Sequence, residues 1–175
     1  RNEDKNKHLA LYNLGAVLYR LGEHTLARGA FEDAVKFSPS FFTAHLSLGL
    51  VYEILGLSDK ALAEWQYVDN NVKMGNPDEV SVHLSCLNNL GRVYEDKGQY
   101  LTALNYLTRS LMIDPRQSDV LHHWVYLREK QCAWPVYADF PNWDFNEMCQ
   151  STSALAMLAI SDDPDVQLRI AKNAA

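Results

Sequence analysis

The chain has 175 residues, of which 47% are hydrophobic, and a formal net charge of −6. This length and composition suit a single domain or a short repeat array. Acidic residues outnumber basic ones by 22 to 16, and no lysine and arginine cluster is present, so we expect no nucleic acid partner. No apolar stretch approaches the ~20 residues that span a bilayer, and we expect no membrane partner.

The cysteines are odd in number and form no CxxC pair. They stand at Cys86, Cys132 and Cys149. Unpaired thiols are typical of a reducing compartment, and no stretch has the pattern of a signal peptide. We therefore expect a cytoplasmic protein. Because Arg1 is not a start methionine and a helical pattern continues to Ala175, we also expect the chain to be part of a longer one.

Apolar residues recur at three- and four-residue spacing along seven segments, which indicates amphipathic helices. In chain order the predicted helices cover 8–21, 24–37, 42–55, 58–74, 80–97, 100–113 and 118–130. Glycines at 22, 56 and 98 fall where the first helix of each pair must end, and a left-handed cap there favours glycine. Pro39 and Pro115 fall where a second helix must end.

One pattern recurs through the first 117 residues. Gly15, Gly49 and Gly91 each follow a leucine, and a bulky apolar residue comes three positions later. A second glycine follows at seven, an alanine at twelve and a large apolar residue at sixteen. These aligned residues are Gly22, Gly56 and Gly98, then Ala27, Ala61 and Ala103, then Phe31, Trp65 and Leu107. We expect the small residues to let helix backbones approach while the large ones fill the remaining space.

Gly15 and Gly49 are 34 residues apart, and over residues 8 to 117 the pattern resembles the tetratricopeptide repeat. The resemblance implies an all-α, right-handed helix–turn–helix repeat solenoid. Its three repeats would lie at about 8–41, 42–75 and 84–117, followed by a capping helix. Repeat arrays hold other proteins, and this chain has no phosphate loop, GxSxG or HExxH motif. We therefore predict a peptide- or protein-binding module that is not an enzyme and has no cofactor.

The second period is longer than the first. Gly49 and Gly91 are 42 residues apart, which places an insertion at 76–83. Gly75 has the pattern of a helix end, Asn76 that of an N-cap and Pro77 that of a first-turn proline, so the next helix should begin early. Two interpretations stay open, a rim that contacts a partner and a tolerated change of length.

In this family the first helix of each pair lines a concave groove, and the residue two before each glycine points into it. These residues are Asn13, Ser47 and Asn89. An asparagine offers a donor and an acceptor to the main chain of an extended peptide. In O-linked sugar transferases of this class a ladder of asparagines does so, and Ser47 departs from that ladder. The alternative, that these are solvated polar residues, stays open.

A second groove chemistry of the family is a clamp for a peptide's terminal carboxylate. The matching positions are Tyr12, Ala16, Ser47, Ser85 and Asn89. None of them is a cation, so we predict no such clamp. The remaining groove positions are Tyr19, Glu53, Arg92 and Glu95, whose charges are mixed. Tyr12 and Arg92 complete our set of candidate peptide-binding residues.

Residues 118–143 should form the capping helix and an aromatic linker, which either packs on the cap or forms a ligand pocket. Residues 144–175 should be a helical segment leading toward an absent domain, with helices at about 144–160 and from Pro164. Asp162 or Asp163 would cap the latter. His122 and His123 are adjacent, hence about 100° apart on a helix, and we predict no metal site there.

The segments from His122 to Pro135 and from Ser153 to Pro164 resemble the junction in SPINDLY-type proteins, relatives of O-linked N-acetylglucosamine transferase. There a repeat array leads through a Cys-x-Trp linker into a two-lobed glycosyltransferase. The resemblance implies a parent that moves a sugar from a nucleotide donor to Ser or Thr hydroxyls, with this chain as its non-catalytic, substrate-recruiting part. A free-standing adaptor that scaffolds a protein complex stays open, and self-association can coexist with either.

Overall fold

A computed structural model of the chain describes residues 6–73, 75–134 and 163–173, and the regular structure within these ranges is helical. The eight helices within these ranges are α1 (Lys7–Arg20), α2 (His24–Phe37), α3 (Phe42–Ile54), α4 (Ser58–Asn71), α5 (Pro77–Asp96), α6 (Tyr100–Ile113), α7 (Ser118–Lys130) and α8 (Pro164–Asn173). The predicted all-α class of helix–turn–helix repeats is confirmed.

The chain divides into two compact units, residues 1–93 and 94–175. In the first unit α1 packs against α2, α2 against α3 and α3 against α4. In the second unit α6 packs against α7. α5 begins in the first unit, and its residues from Tyr94 onward belong to the second.

The turns inside the helix pairs are built on glycine, as predicted. Gly22, Gly56 and Gly98 have φ angles of 80°, 73° and 71°, a conformation that other residues rarely adopt. At Gly56 the glycine N–H donates to the Glu53 carbonyl at 2.9 Å, and the following N–H donates to the Tyr52 carbonyl at 2.8 Å. These two hydrogen bonds satisfy carbonyl oxygens that would otherwise lack a partner at the end of the helix.

Gly15 and Gly49 allow close contact within the first two helix pairs. A methyl group on Gly15 would lie 2.7 Å from the ring of Phe31, and one on Gly49 would overlap the indole Nε1 of Trp65 and lie 2.6 Å from its Cε2. Trp65 is fully buried, and its Nε1 donates to the Leu46 carbonyl at 3.2 Å. The predicted pairing of a small residue with a large one is therefore confirmed in both repeats.

The end of α4 differs from the prediction. The helix ends at Asn71 rather than at 74, because Val72 takes an extended backbone with φ −66° and ψ 137°. The prediction that Gly75 ends this helix is also wrong. Gly75 lies beyond the helix, and its N–H donates to the carboxylate of Glu79 at 3.4 Å.

The insertion lengthens the start of α5. The helix begins at Pro77 rather than at 80, and the Asn76 side chain accepts a hydrogen bond from the Glu79 N–H at 2.8 Å, as an N-cap does. α5 has 20 residues, whereas α1 has 14 and α3 has 13. The cap and the first-turn proline are as predicted, and the early start follows from them.

The outward face of α1 is apolar. Leu14 and Val17 are each 52% exposed. The aligned residues of the second repeat, Leu48 and Val51, are 1% and 0% exposed, because α2 packs against α3. The exposed apolar face of α1 therefore corresponds to the face of α3 that α2 covers.

In the second unit α7 covers the apolar side of α6. Trp124 is buried, and its Nε1 donates to the Thr108 hydroxyl at 2.8 Å. Leu121 and Leu127 are buried in the same cluster.

α8 begins at Pro164, and the Asp163 side chain accepts from the Asp165 N–H at 2.9 Å, which identifies Asp163 as the predicted cap. The predicted helix at 144–160, most of the aromatic linker and the junction segment from Ser153 to Asp162 lie outside the described residues. No helix in the described ranges is long and apolar enough to span a bilayer.

Candidate functional site

The candidate groove is the side of the first unit on which α1, α3 and the first part of α5 carry Asn13, Ser47 and Asn89. α1 contacts α3. α3 is joined to α5 by an ion pair between Glu53 and Arg92. The three helices that the family pattern assigns to the groove are thus successive neighbours.

The asparagine side chains of the candidate groove are available for hydrogen bonding. Asn13 is exposed and Asn89 is half-buried. Neither amide makes a hydrogen bond to any residue that the structure describes. Each amide has two N–H donors and an acceptor oxygen, so both can bond to a peptide main chain without breaking an existing contact.

Arg92 is engaged with Glu53. Its Nη2 donates to Glu53 Oε2 at 2.6 Å, and both side chains are partly exposed. Such a pair contributes at most about 1 kcal/mol to stability. Its effect on the candidate groove is to compensate the guanidinium charge with a carboxylate. Glu95 belongs to the second unit, where its Oε2 lies 3.1 Å from His123 Nδ1.

A pocket of about 180 Å³ opens between α1 and α3 within the candidate groove. We call it the anchor pocket. Its lining residues are Tyr12, Ala16, Tyr19, Arg20, Phe31, Ser47 and Leu50. The Tyr12 ring lies 5.6 Å from the Phe31 ring and packs edge-on against Phe41 at 5.1 Å, both between centroids. The pocket therefore has an aromatic wall that is held in place by further aromatic contacts.

Small side chains leave this space open. Ala16 occupies the position that holds Leu50 in the second repeat and Arg92 in the third. Ser47 occupies the position at which the other two repeats have asparagine. Gly15 lets the ring of Phe31, on α2, pack closely against α1. Ser47, which interrupts the asparagine ladder, therefore also helps to form the pocket.

Arg20 brings a positive charge to the anchor pocket. It is exposed in the last turn of α1 and makes no ion pair or hydrogen bond within the described part of the chain. Sequence reasoning missed this residue. The available signal was that Tyr12, Ala16 and Arg20 follow one another at steps of four residues, because residues four apart share one face of a helix.

Two histidines of the first unit are buried and tie helices together. His45 Nδ1 lies 2.7 Å from Glu64 Oε2, and its Nε2 donates to the Pro39 carbonyl at 3.0 Å. His83 Nε2 lies 2.8 Å from Asp69 Oδ1. Because these ring nitrogens are committed to partners inside the fold, both residues have structural roles.

Within the described part of the chain, neither a reactive thiol nor a metal site accompanies the candidate groove. Burial, together with the charge of Asp69, raises the pKa of the Cys86 thiol to about 12. The thiol is therefore protonated at neutral pH and is no nucleophile. Among the residues that the structure describes, no three or more His, Cys, Asp or Glu side chains cluster as metal ligands.

Two profiles described as tetratricopeptide repeat match the sequence. One matches residues 4–40 and 12–69, and the other matches residues 84–117. No curated protein matches the chain.

Several solved structures share the fold. A MamA fragment from Desulfovibrio magneticus RS-1 aligns with TM-score 0.61 and 18% identity, covering 91% of this chain and 80% of that one. A thermophilic TPR protein from Thermus thermophilus aligns with TM-score 0.53 and 20% identity, covering 95% and 80%. A tetratricopeptide repeat protein from Parabacteroides merdae aligns with TM-score 0.63 and 14% identity, covering 96% and 59%. At these identities the likeness concerns the fold.

Proposed function

Since this chain belongs to the tetratricopeptide repeat proteins, we propose that it binds extended segments of partner proteins in the candidate groove. The observation that carries the proposal is the pair of amides at Asn13 and Asn89, which make no hydrogen bond with the described residues. They stand on the first helices of two repeats, and Ser47 stands between them on α3.

Each asparagine bonds to the partner's main chain, with its amide N–H₂ donating to a carbonyl and its oxygen accepting from an N–H. Every peptide has this main chain, so recognition at these positions tolerates many sequences. A hydrogen bond of this type contributes about 0.5–1.5 kcal/mol. Loss of both asparagines should therefore weaken binding roughly tenfold or more.

The test is the double variant Asn13→Ala/Asn89→Ala, measured by fluorescence anisotropy with a set of labelled peptides of unrelated sequence. The matched control is Asn70→Ala/Asn105→Ala, which changes two asparagines on second helices. The groove variant should lose affinity for the whole set at an unchanged melting temperature, and the control should not. If the groove variant binds as tightly as the wild type, the asparagines do not hold the partner.

We further infer that the chain is the substrate-recruiting, non-catalytic part of a SPINDLY-type protein O-glycosyltransferase. The support is a resemblance to the SPINDLY-type junction. It is carried by the segment that follows α7, with Cys132 and Trp134, and by the start of α8 at Asp163 and Pro164. The sugar transfer would take place in lobes that follow this chain. The coding sequence after Ala175 is the test, because two nucleotide-binding α/β lobes are required there and a stop codon would contradict the proposal.

The second candidate function is a free-standing cytoplasmic adaptor that scaffolds a protein complex. The same candidate groove and the match to tetratricopeptide repeats favour it equally. It differs in requiring no catalytic lobes, and it predicts that the isolated chain joins a stable complex. Co-purification of the tagged chain, with and without the downstream coding sequence, distinguishes the two. The adaptor function requires that the same set of proteins is recovered in both cases.

Self-association is compatible with either function. The exposed Leu14 and Val17 on α1 favour it, because the aligned positions of the second repeat are buried against a helix. A second copy would bury this face. Light scattering should then show the mass rising with concentration, and Leu14→Asp/Val17→Asp should abolish the rise. A concentration-independent monomer mass would contradict self-association.

A further inference from the structure

We propose that the anchor pocket selects the partner. The pocket takes one aromatic side chain of the bound segment, and Arg20 pairs with an acidic residue of the same segment, two positions from the aromatic one. The inference rests on the proposed function, because the asparagines hold the main chain whose side chain enters the pocket. It adds a sequence requirement to binding that would otherwise tolerate many sequences.

The size of the anchor pocket suits an aromatic ring. Its volume is about 180 Å³. Apolar cavities of about 150 Å³ hold benzene. A phenylalanine or tyrosine ring therefore fits, whereas an alanine or serine side chain leaves most of the space empty. A filled pocket gains contacts from the residues that line it, and an unfilled one does not.

The chemistry of the wall favours the same occupant. Tyr12, Tyr19 and Phe31 contribute aromatic surface, and Leu50 contributes aliphatic surface. Tyr12 already packs against the rings of Phe31 and Phe41 at 5.6 and 5.1 Å between centroids. Aromatic pairs are favourable at centroid distances of about 4.5–7 Å in tilted and edge-on geometries. An incoming ring extends this existing cluster.

The charges at the pocket favour an acidic neighbour. Glu53 is paired with Arg92, and Glu32 lies 3.5 Å from Arg28. Arg20 has no such partner in the part of the chain that the structure describes, so its charge is uncompensated at the rim. A guanidinium binds a carboxylate through two parallel hydrogen bonds.

The geometry of an extended peptide limits where the acidic residue can stand relative to the aromatic one. Side chains of an extended peptide alternate between its faces, and the chain advances about 3.3 Å per residue. A residue two positions from the aromatic one therefore projects from the same face about 7 Å away. That distance is within reach of the long side chain of Arg20, whereas the adjacent residue points away from the helices.

The probes are serine–alanine peptides that carry one phenylalanine and one aspartate two positions before or after it. Binding is measured by titration of the ¹⁵N-labelled chain and observation of its amide chemical shifts. One of the two Phe–Asp peptides should bind at least about tenfold tighter than a peptide without the phenylalanine and than a peptide without the aspartate. Its largest shifts should occur in α1 and α3.

Two variants fill the pocket and one reverses the charge. Ala16→Leu introduces the residue that the second repeat holds at the aligned position, and Ser47→Asn introduces the asparagine of the other repeats. Both should abolish the preference for phenylalanine. Ala63→Leu, at an exposed site on α4, is the matched control and should leave it intact. Arg20→Glu should weaken the Phe–Asp peptide and strengthen its Phe–Lys counterpart.

The outcomes separate this inference from the proposed function. If all peptides bind equally and Asn13→Ala/Asn89→Ala weakens them all, the groove is real and the pocket selects nothing, which overturns the inference alone. If no peptide shifts any groove resonance, the proposed function fails, and the inference fails with it. If phenylalanine is required but Arg20→Glu has no effect, the acidic requirement is wrong, and the proposal is overturned as stated.

Discussion

Replacing Gly49 with alanine tests whether the close contact inside the second repeat limits stability. The added methyl group would overlap the Trp65 indole Nε1 and lie 2.6 Å from Cε2, a separation that such atoms do not tolerate. Trp65 cannot move aside freely, because it is fully buried and its Nε1 is bonded to the Leu46 carbonyl at 3.2 Å. Relief of the clash therefore requires a shift of α4 against α3 or a new position of the indole.

The expected effect is a net loss. Alanine in place of glycine inside a helix stabilises by about 0.5–1 kcal/mol. Overpacking of a core contact costs about 1–3 kcal/mol. A displaced indole loses a hydrogen bond worth about 1 kcal/mol. The unfavourable terms outweigh the favourable one, and we expect Gly49→Ala to lower the free energy of unfolding by about 1–3 kcal/mol.

The chain contains its own control for this experiment. Gly29 lies within α2, and nothing stands within 4 Å of a methyl group placed on it. Gly29→Ala is the same chemical change without the clash, so it should raise the free energy of unfolding by about 0.5–1 kcal/mol. Urea denaturation followed by circular dichroism at 222 nm, with equal m-values required, measures both variants on one scale.

The two variants must therefore move stability in opposite directions. A Gly49→Ala protein as stable as Gly29→Ala would show that Trp65 relocates at no cost and would refute the packing argument. A double-mutant cycle with Trp65→Leu, which places in the second repeat the smaller residue that the third repeat has at Leu107, should show that the cost of Gly49→Ala falls. An unchanged cost would place the strain elsewhere.

Three further predictions concern single groups. Tyr52→Phe removes a hydroxyl that donates to Glu32 at 2.8 Å and should lower the free energy of unfolding by about 1 kcal/mol in urea denaturation; no change would mean that water replaces the bond. Gly56→Ala forces alanine to φ 73° and should cost about 1–2 kcal/mol by the same assay, and an equal or higher midpoint would contradict this. In a variant with Cys86 as its single cysteine, Ellman's reagent at pH 8 should react only after unfolding, since the thiol is buried and its pKa is about 12; rapid labelling of the native protein would refute this.

The helix pairs could be predicted because their boundaries are specified locally. Gly22 and Gly56 mark turns by a conformation that few other residues adopt, and Asn76 marks a helix start by its side chain. The end of α4 could not be predicted in this way. No glycine or proline follows Asn71 directly, and the helix stops where the backbone at Val72 becomes extended. That stop depends on tertiary context, which local signals do not encode.

The site could be predicted only in part, for a geometric reason. The asparagines follow from their register relative to the repeat glycines. The anchor pocket depends on volume left between Ala16, Ser47 and the ring of Phe31, which come from three different helices. The pairing of Arg92 with Glu53 joins residues 39 positions apart and depends on side-chain conformation as well as register. Neither feature has a local signature.

The exposed apolar face of α1 has a consequence for the order in which the first unit opens. In a repeat array each repeat is stabilised by its neighbours, and α1 lacks along Leu14 and Val17 the cover that α3 receives from α2. Amide hydrogens of α1 should therefore exchange faster than those of α3, as the region of lowest local stability. The anchor pocket spans both helices, so an occupant should slow exchange in α1 most. Ligand binding at that end would then be coupled to the completion of folding.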